Sequence, residues 1–147
     1  MKKLALGAVL VAVVVVSGWA GSDHGPLTAK EYRAQLNRIC TNLTARYDAI
    51  GEPKAFQDLA ETGPQFINAF EEALAAAQAL RPPAELRLSA DRFVAVSLRI
   101  RDLLQAFVEA ARENDQAKLA RLGPQLDALD KDTDVSAARL GATACTS

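Results

Sequence analysis

Cys40, Cys145 and His24 are the residues with the sharpest chemistry in this 147-residue chain, which holds two cysteines and one histidine. A cysteine can act as a nucleophile, ligate a metal or form half of a disulfide. The nucleophile needs a base beside it, usually histidine. His24 sits in a polar stretch, Gly21-Ser-Asp-His-Gly-Pro-Leu27, ahead of the first amphipathic segment. Everything after it is free of histidine. That absence removes serine-histidine-aspartate and cysteine-histidine catalysis. It also removes a di-iron site, which needs two Glu-x-x-His motifs in a bundle. Haem attachment would need Cys-x-x-Cys-His, and the only methionine is Met1. The residues therefore indicate a chain with no catalytic group, no cofactor and no metal site.

Two charged patterns have the residue types to bind ions. Asp130-x-Asp132-x-Asp134 opens like a calcium loop. Such a loop needs glycine at its sixth position and glutamate at its twelfth. Val135 and Gly141 stand there instead. The spacing also falls in a helical pattern, with Asp130 and Asp134 on one solvated face. Arg92 and Arg99 share a helix face, with Arg87 and Arg101 nearby and Asp91 and Asp102 interleaved. This reads as a salt-bridged surface, with an anion-binding patch as the alternative. Asn42-Leu43-Thr44 spells a glycosylation sequon, but it lies inside a helical pattern and reads as chance.

The elements that would position these residues begin with a leader. Met1-Lys2-Lys3 is positive, Leu4 to Val16 is an almost unbroken apolar run, and Ser17 to Ser22 are mostly small. This is the plan of a secretory signal peptide over residues 1–22, with cleavage expected after Ala20 or Ser22. The rival reading is an uncleaved anchor, since Leu4 to Ala20 lies at the lower limit for spanning a bilayer. Either way Lys2 and Lys3 stay inside and the rest is exported. Ser22 stands where a lipoprotein leader would carry its cysteine, so no lipid is attached there. Residues 23–27 form a linker, and 28–147 form one domain.

Export places both cysteines in an oxidising compartment, where a Cys40–Cys145 disulfide forms and persists. It closes a loop of roughly a hundred residues, worth ~4–5 kcal/mol on the chain-entropy model. Without Lys2 and Lys3, the 17 basic residues become 15 against 18 acidic, a net of −3. A mildly acidic body argues against gripping nucleic acid or anionic lipid. Contact with a membrane is expected only through an uncleaved leader.

The domain reads as four amphipathic helices. Thr28-x-x-Glu31 matches a capping box. Tyr32, Leu36, Ile39, Cys40, Leu43, Tyr47 and Ile50 follow on one face, up to Gly51. The second region, about 54–80, carries Phe56, Leu59, Gly63, Phe66, Phe70, Ala73, Ala77 and Leu80. The third, from Pro83 or Ala84 to about Arg112, carries Leu86, Ala90, Phe93, Ser97, Ile100, Leu104, Phe107 and Ala111. The fourth carries Leu119, Leu122, Leu126, Leu129, Thr133, Ala137 and Leu140, with Asn114 or Asp115 as its cap and Gly141 as its left-handed stop. Gly63-Pro64 and Gly123-Pro124 predict a kink or a restart in the second and fourth helices. Leu59-Ala-x-x-Gly-Pro-Gln-Phe66 recurs as Leu119-Ala-x-x-Gly-Pro-Gln-Leu126, either a hairpin used twice or a coincidence of composition. Short connections make the whole an antiparallel up-down four-helix bundle with kinked second and fourth helices. The tail after the fourth helix must then fold back along the first to bring Cys145 to Cys40.

Leu27-Thr28-x-x-Glu31-Tyr32, Asn37-x-Ile39-Cys40, Leu80-Arg81-Pro82-Pro83 and the C-terminal glycine and cysteine resemble a group of uncharacterised exported helical proteins of actinobacteria, many with lipoprotein-type leaders. The resemblance covers nearly all of the chain after the leader. It implies a helical fold, export and a terminal disulfide, and it carries no established activity. The expected function is non-enzymatic: an exported cell-envelope or secreted protein that acts through its helical surface, on a partner or on the envelope. The alternative is a carrier for a small apolar ligand. In that case Gly63 and the small residues Ala73 to Ala77 leave space lined by Phe66, Phe70, Phe93 and Phe107.

Overall fold

A computed structural model of the chain describes residues 25–146. The leader 1–22, His24 and the first part of the linker lie outside the described residues. Four helices account for most of the rest: α1 Ala29–Ile50, α2 Phe56–Ala79, α3 Arg87–Arg112 and α4 Gln116–Leu140. Two single 3-10 turns, Ala84–Leu86 and Thr143–Cys145, precede α3 and follow α4. Among the described residues no helix is long and apolar enough to cross a membrane.

Local chemistry explains each boundary. The Thr28 hydroxyl accepts from the Glu31 amide at 3.3 Å, and the Glu31 carboxylate accepts from the Thr28 amide at 3.0 Å. Together they satisfy donors that the first turn of α1 leaves free. Hydrogen bonds from the Thr28 hydroxyl, then from its backbone, hold the Glu31 carboxyl below the usual carboxylate range. At α2 the Asp58 carboxylate reaches back to the amides of Lys54 and Ala55, at 2.9 and 3.1 Å. Asp115 caps α4 by accepting from the Lys118 amide at 2.9 Å. Gly141 closes α4 at φ 71°, a left-handed geometry that costs glycine least.

Both proline-bearing helices run unbroken, with Pro64 and Pro124 inside them. Restarts at Gly63-Pro64 and Gly123-Pro124 are therefore corrected. Tertiary cover on both helices outweighs the single hydrogen bond that each proline removes.

The helices form a four-helix bundle whose core is three clusters stacked along its length. At one end Tyr32 and Leu36 of α1 meet Ala77 of α2, Phe93 of α3 and Leu140 of α4. The middle cluster is Val96, Ile100 and Leu129, with Phe70 and Leu104 against it. The far cluster is Ala110, Ala111 and Leu119, with Leu59 and Phe107 against it. The first cluster holds the starts of α1 and α3 and the ends of α2 and α4, as up-down order requires. Only this cluster includes α1. Further along, α1 lies on α2, with the Tyr47 ring edge-on to Phe66 at 5.1 Å between centroids. The middle and far clusters are built by α2, α3 and α4 alone.

Gly63 is buried where α2 meets α3. A Cβ built there would lie 2.4 and 2.9 Å from the two Val108 methyls. The glycine thus admits a neighbouring side chain and leaves no space of its own, which corrects that part of the carrier expectation. Gly123, its counterpart in the sequence echo, meets nothing within 4 Å. Each glycine precedes a proline, so the strain of an alanine before proline is common to both sites. Gly63→Ala is expected to be destabilising by about 1–3 kcal/mol relative to Gly123→Ala. Thermal or urea denaturation of the two variants measures this, and equal midpoints would refute the close contact.

Candidate functional site

The C-terminal turn is what holds α1 to the end of α4. Arg33 Nε donates to the Leu140 carbonyl at 2.8 Å, and the Ala144 amide donates to Asn37 Oδ1 at 2.8 Å. Cys40 and Cys145 complete the tie, with their Cα atoms 5.1 Å apart and their sulfurs at bonding distance. The tail folds back along α1, as the sequence requires. Cys40 lies one turn beyond Leu36, so the bond sits at the inner edge of the first core cluster.

Beyond this tie, α1 and α4 separate. There α1 lies on α2, with Leu43 and Arg46 beside Ala69 and Glu72 and Tyr47 against Phe66. The gap between α1 and α4 is an apolar groove of about 350 Å³. Phe70, Phe93, Ile100 and Leu104 form its floor, from α2 and α3. Leu43 and Tyr47 of α1 make one wall; Leu126, Asp130 and Thr133 of α4 make the other. The disulfide, with Ala144 and Thr146, closes one end. Every helix contributes to this groove, and its floor is continuous with the core. Two other depressions lie on outer faces of helix pairs, around Arg46 and Glu72 of α1 and α2 and around Arg99 and Asp132 of α3 and α4, and a further one over Tyr32, Ala77 and Ala90 is lined by α1, α2 and α3.

Few polar groups reach the groove, and most are already engaged. The Thr44 hydroxyl donates to the Cys40 carbonyl at 3.2 Å, and Thr133 to the Leu129 carbonyl at 2.9 Å. Tyr47 and Asp130 are different. Burial pushes the Tyr47 phenol up to about 12, with the Asp130 charge adding to it, so it stays protonated at neutral pH. Burial raises the Asp130 carboxyl, and the neighbouring charges of Asp127 and Asp134 raise it further.

The candidate residues of the sequence are distributed over several places. Phe70 and Phe93 line the groove, whereas Phe66 packs against Tyr47 and Phe107 belongs to the far core cluster. Asp130 reaches the groove, and Asp132 lies in an outer depression with Arg99 and Asp102. No trio of acidic, cysteine or histidine side chains is placed to hold a metal among the described residues. Arg101 pairs with Asp102 on the surface, an exposed bond of small energetic weight. Arg87, Arg92 and Arg99 are exposed on α3. Tyr47 and Asp130 as a facing pair escape sequence reading, because nothing in the spacing says that α1 and α4 part beside them.

Comparisons with protein-family models, curated proteins and solved structures give no match to this chain.

A carboxyl whose folded pKa is raised is more tightly protonated folded than unfolded. Its charge therefore burdens the fold above the folded pKa, and the burden lifts as the pH falls through that value. Asp130→Asn is expected to raise the melting temperature at neutral pH and to lose that advantage below the ordinary carboxylate range. Melting curves at the two pH values check this, and a pH-independent effect would contradict it.

Proposed function

We propose that this is an exported, non-enzymatic binding protein that holds a small apolar ligand in the groove between α1 and α4. The observation that carries the reading is the groove itself: an apolar floor, shared by all four helices, left open because α1 is tied to α4 at one end only. Its volume of about 350 Å³ falls at the lower end of small-molecule sites. An apolar floor closed at one end by the disulfide favours a small ligand, so the carrier reading stands ahead of a general surface interaction.

Export is supported by the leader, by the resemblance to exported helical proteins of actinobacteria and by a cysteine pair set for a disulfide. An enzyme would need a base or nucleophile converging on the groove. The groups there are a tyrosine held protonated and one carboxylate, with no third partner to orient either.

Thr44 is exposed on α1 at the groove's edge, so a large side chain there fills the groove without disturbing the core. Fluorescence titration with N-phenyl-1-naphthylamine should show saturable binding by the oxidised protein. Thr44→Trp should weaken it roughly tenfold or more, which corresponds to ~1.4 kcal/mol. No saturable binding, or binding unchanged by the tryptophan, would defeat the proposal.

A further inference from the structure

The groove's walls are unlike in charge, and this bears on the ligand. Leu43 and Tyr47 face it from α1, and Asp130 faces it from α4. No lysine or arginine lines it. Arg46, the nearest base in sequence to Tyr47, is held on the other side of α1 by Glu72. Asp130 forms no ion pair or hydrogen bond among the described residues, and Asp127 and Asp134 add negative charge on the same helix. Asp130 is exposed at the groove's rim, so its charge is available to a ligand seated on the apolar floor. A cation placed there meets a carboxylate of complementary charge, and an aromatic wall opposite suits a cation as well.

We infer that the ligand is a cationic amphiphile, whose apolar body lies on Phe70, Phe93 and Leu104 and whose amine meets Asp130 at the groove's edge. The inference rests on the reading of the groove as a small-ligand site and adds the ligand's charge. Charge complementarity sets it against fatty acids and other anionic amphiphiles, which would place like charges together. A neutral amphiphile gains the apolar contacts without the ion pair.

Three probes of matched chain length separate these cases: decylamine, decanol and decanoate, each titrated calorimetrically below its micellar range into the oxidised full-length mature protein. Decylamine should bind most tightly, decanol roughly fivefold more weakly, as suits a partly solvated ion pair, and decanoate weakest. Asp130→Asn should bring decylamine down to the level of decanol and leave decanol unchanged. Circular dichroism of the variant confirms its fold. If decanol and decylamine bind alike, or if decanoate binds best, the charge assignment is wrong while the groove reading survives. If none of the three binds, the groove reading fails and the inference fails with it. A dimer that dissociates on adding decylamine would make a second copy of the chain the natural occupant, and that too would overturn the inference.

Discussion

Everything distinctive about this bundle follows from where its last turn is tied down. An up-down bundle of four helices normally buries all four stripes along their whole length. Here the closing residues of the chain fasten to one end of α1. Arg33, Asn37 and Cys40 reach the end of α4 and the turn after it, and none of them lies beyond the middle turn of α1. Past Cys40 the groove separates α1 from α4. The stripe of α1 continues through Leu43, Tyr47 and Ile50, but these residues are only half-buried. α2 lies beside them, and the Tyr47 ring meets Phe66 edge-on.

That one-ended tie has both a structural and a functional consequence. Structurally, α2, α3 and α4 form a three-helix unit with the middle and far core clusters to itself. α1 is an added helix, fastened to the rest by the Leu27 amide bonded to the Arg81 carbonyl at 2.9 Å at its start and by the disulfide at its middle. On the groove side, the partial departure of α1 leaves Phe70 and Leu104 only half-buried, residues that a fully closed bundle would bury. This open apolar surface, with Asp130 at its rim, is the feature on which the proposed ligand site rests. Reduction of the disulfide would remove the strongest part of the tie and leave two hydrogen bonds to hold the tail.

Much of this architecture is legible in the residues. Period-3.6 spacing marks all four helices, and the cap residues Thr28, Asp115 and Gly141 mark their ends where the structure places them. Opposite-end cysteines foretell the returning tail. Other features resist such reading for definite reasons. Continuity through Pro64 and Pro124 depends on tertiary support that no local window contains. The role of Gly63 depends on Val108, a residue off the main stripe of α3. Asp58 caps α2 from inside the helix, with Ala55 at the position where a capping side chain is normally sought. The groove depends on how far α1 lies from α4, a distance set by the tie at Cys40 and invisible in a pattern that runs unchanged to Ile50. Aspartates on α4 read as a solvated face, and Asp127, Asp130 and Asp132 are exposed while Asp134 is half-buried; only the position of α1 puts Asp130 at the rim of the groove.

Native-state hydrogen exchange, followed before and after reduction of the disulfide, bears most directly on the claim that α1 is held at one end. Amides beyond Leu43 should exchange faster than those around Leu36 in the oxidised protein. Reduction should then raise exchange throughout α1 and in Thr143–Cys145, while α3 keeps its protection. Even protection along α1, unchanged when the sulfurs part, would contradict the account.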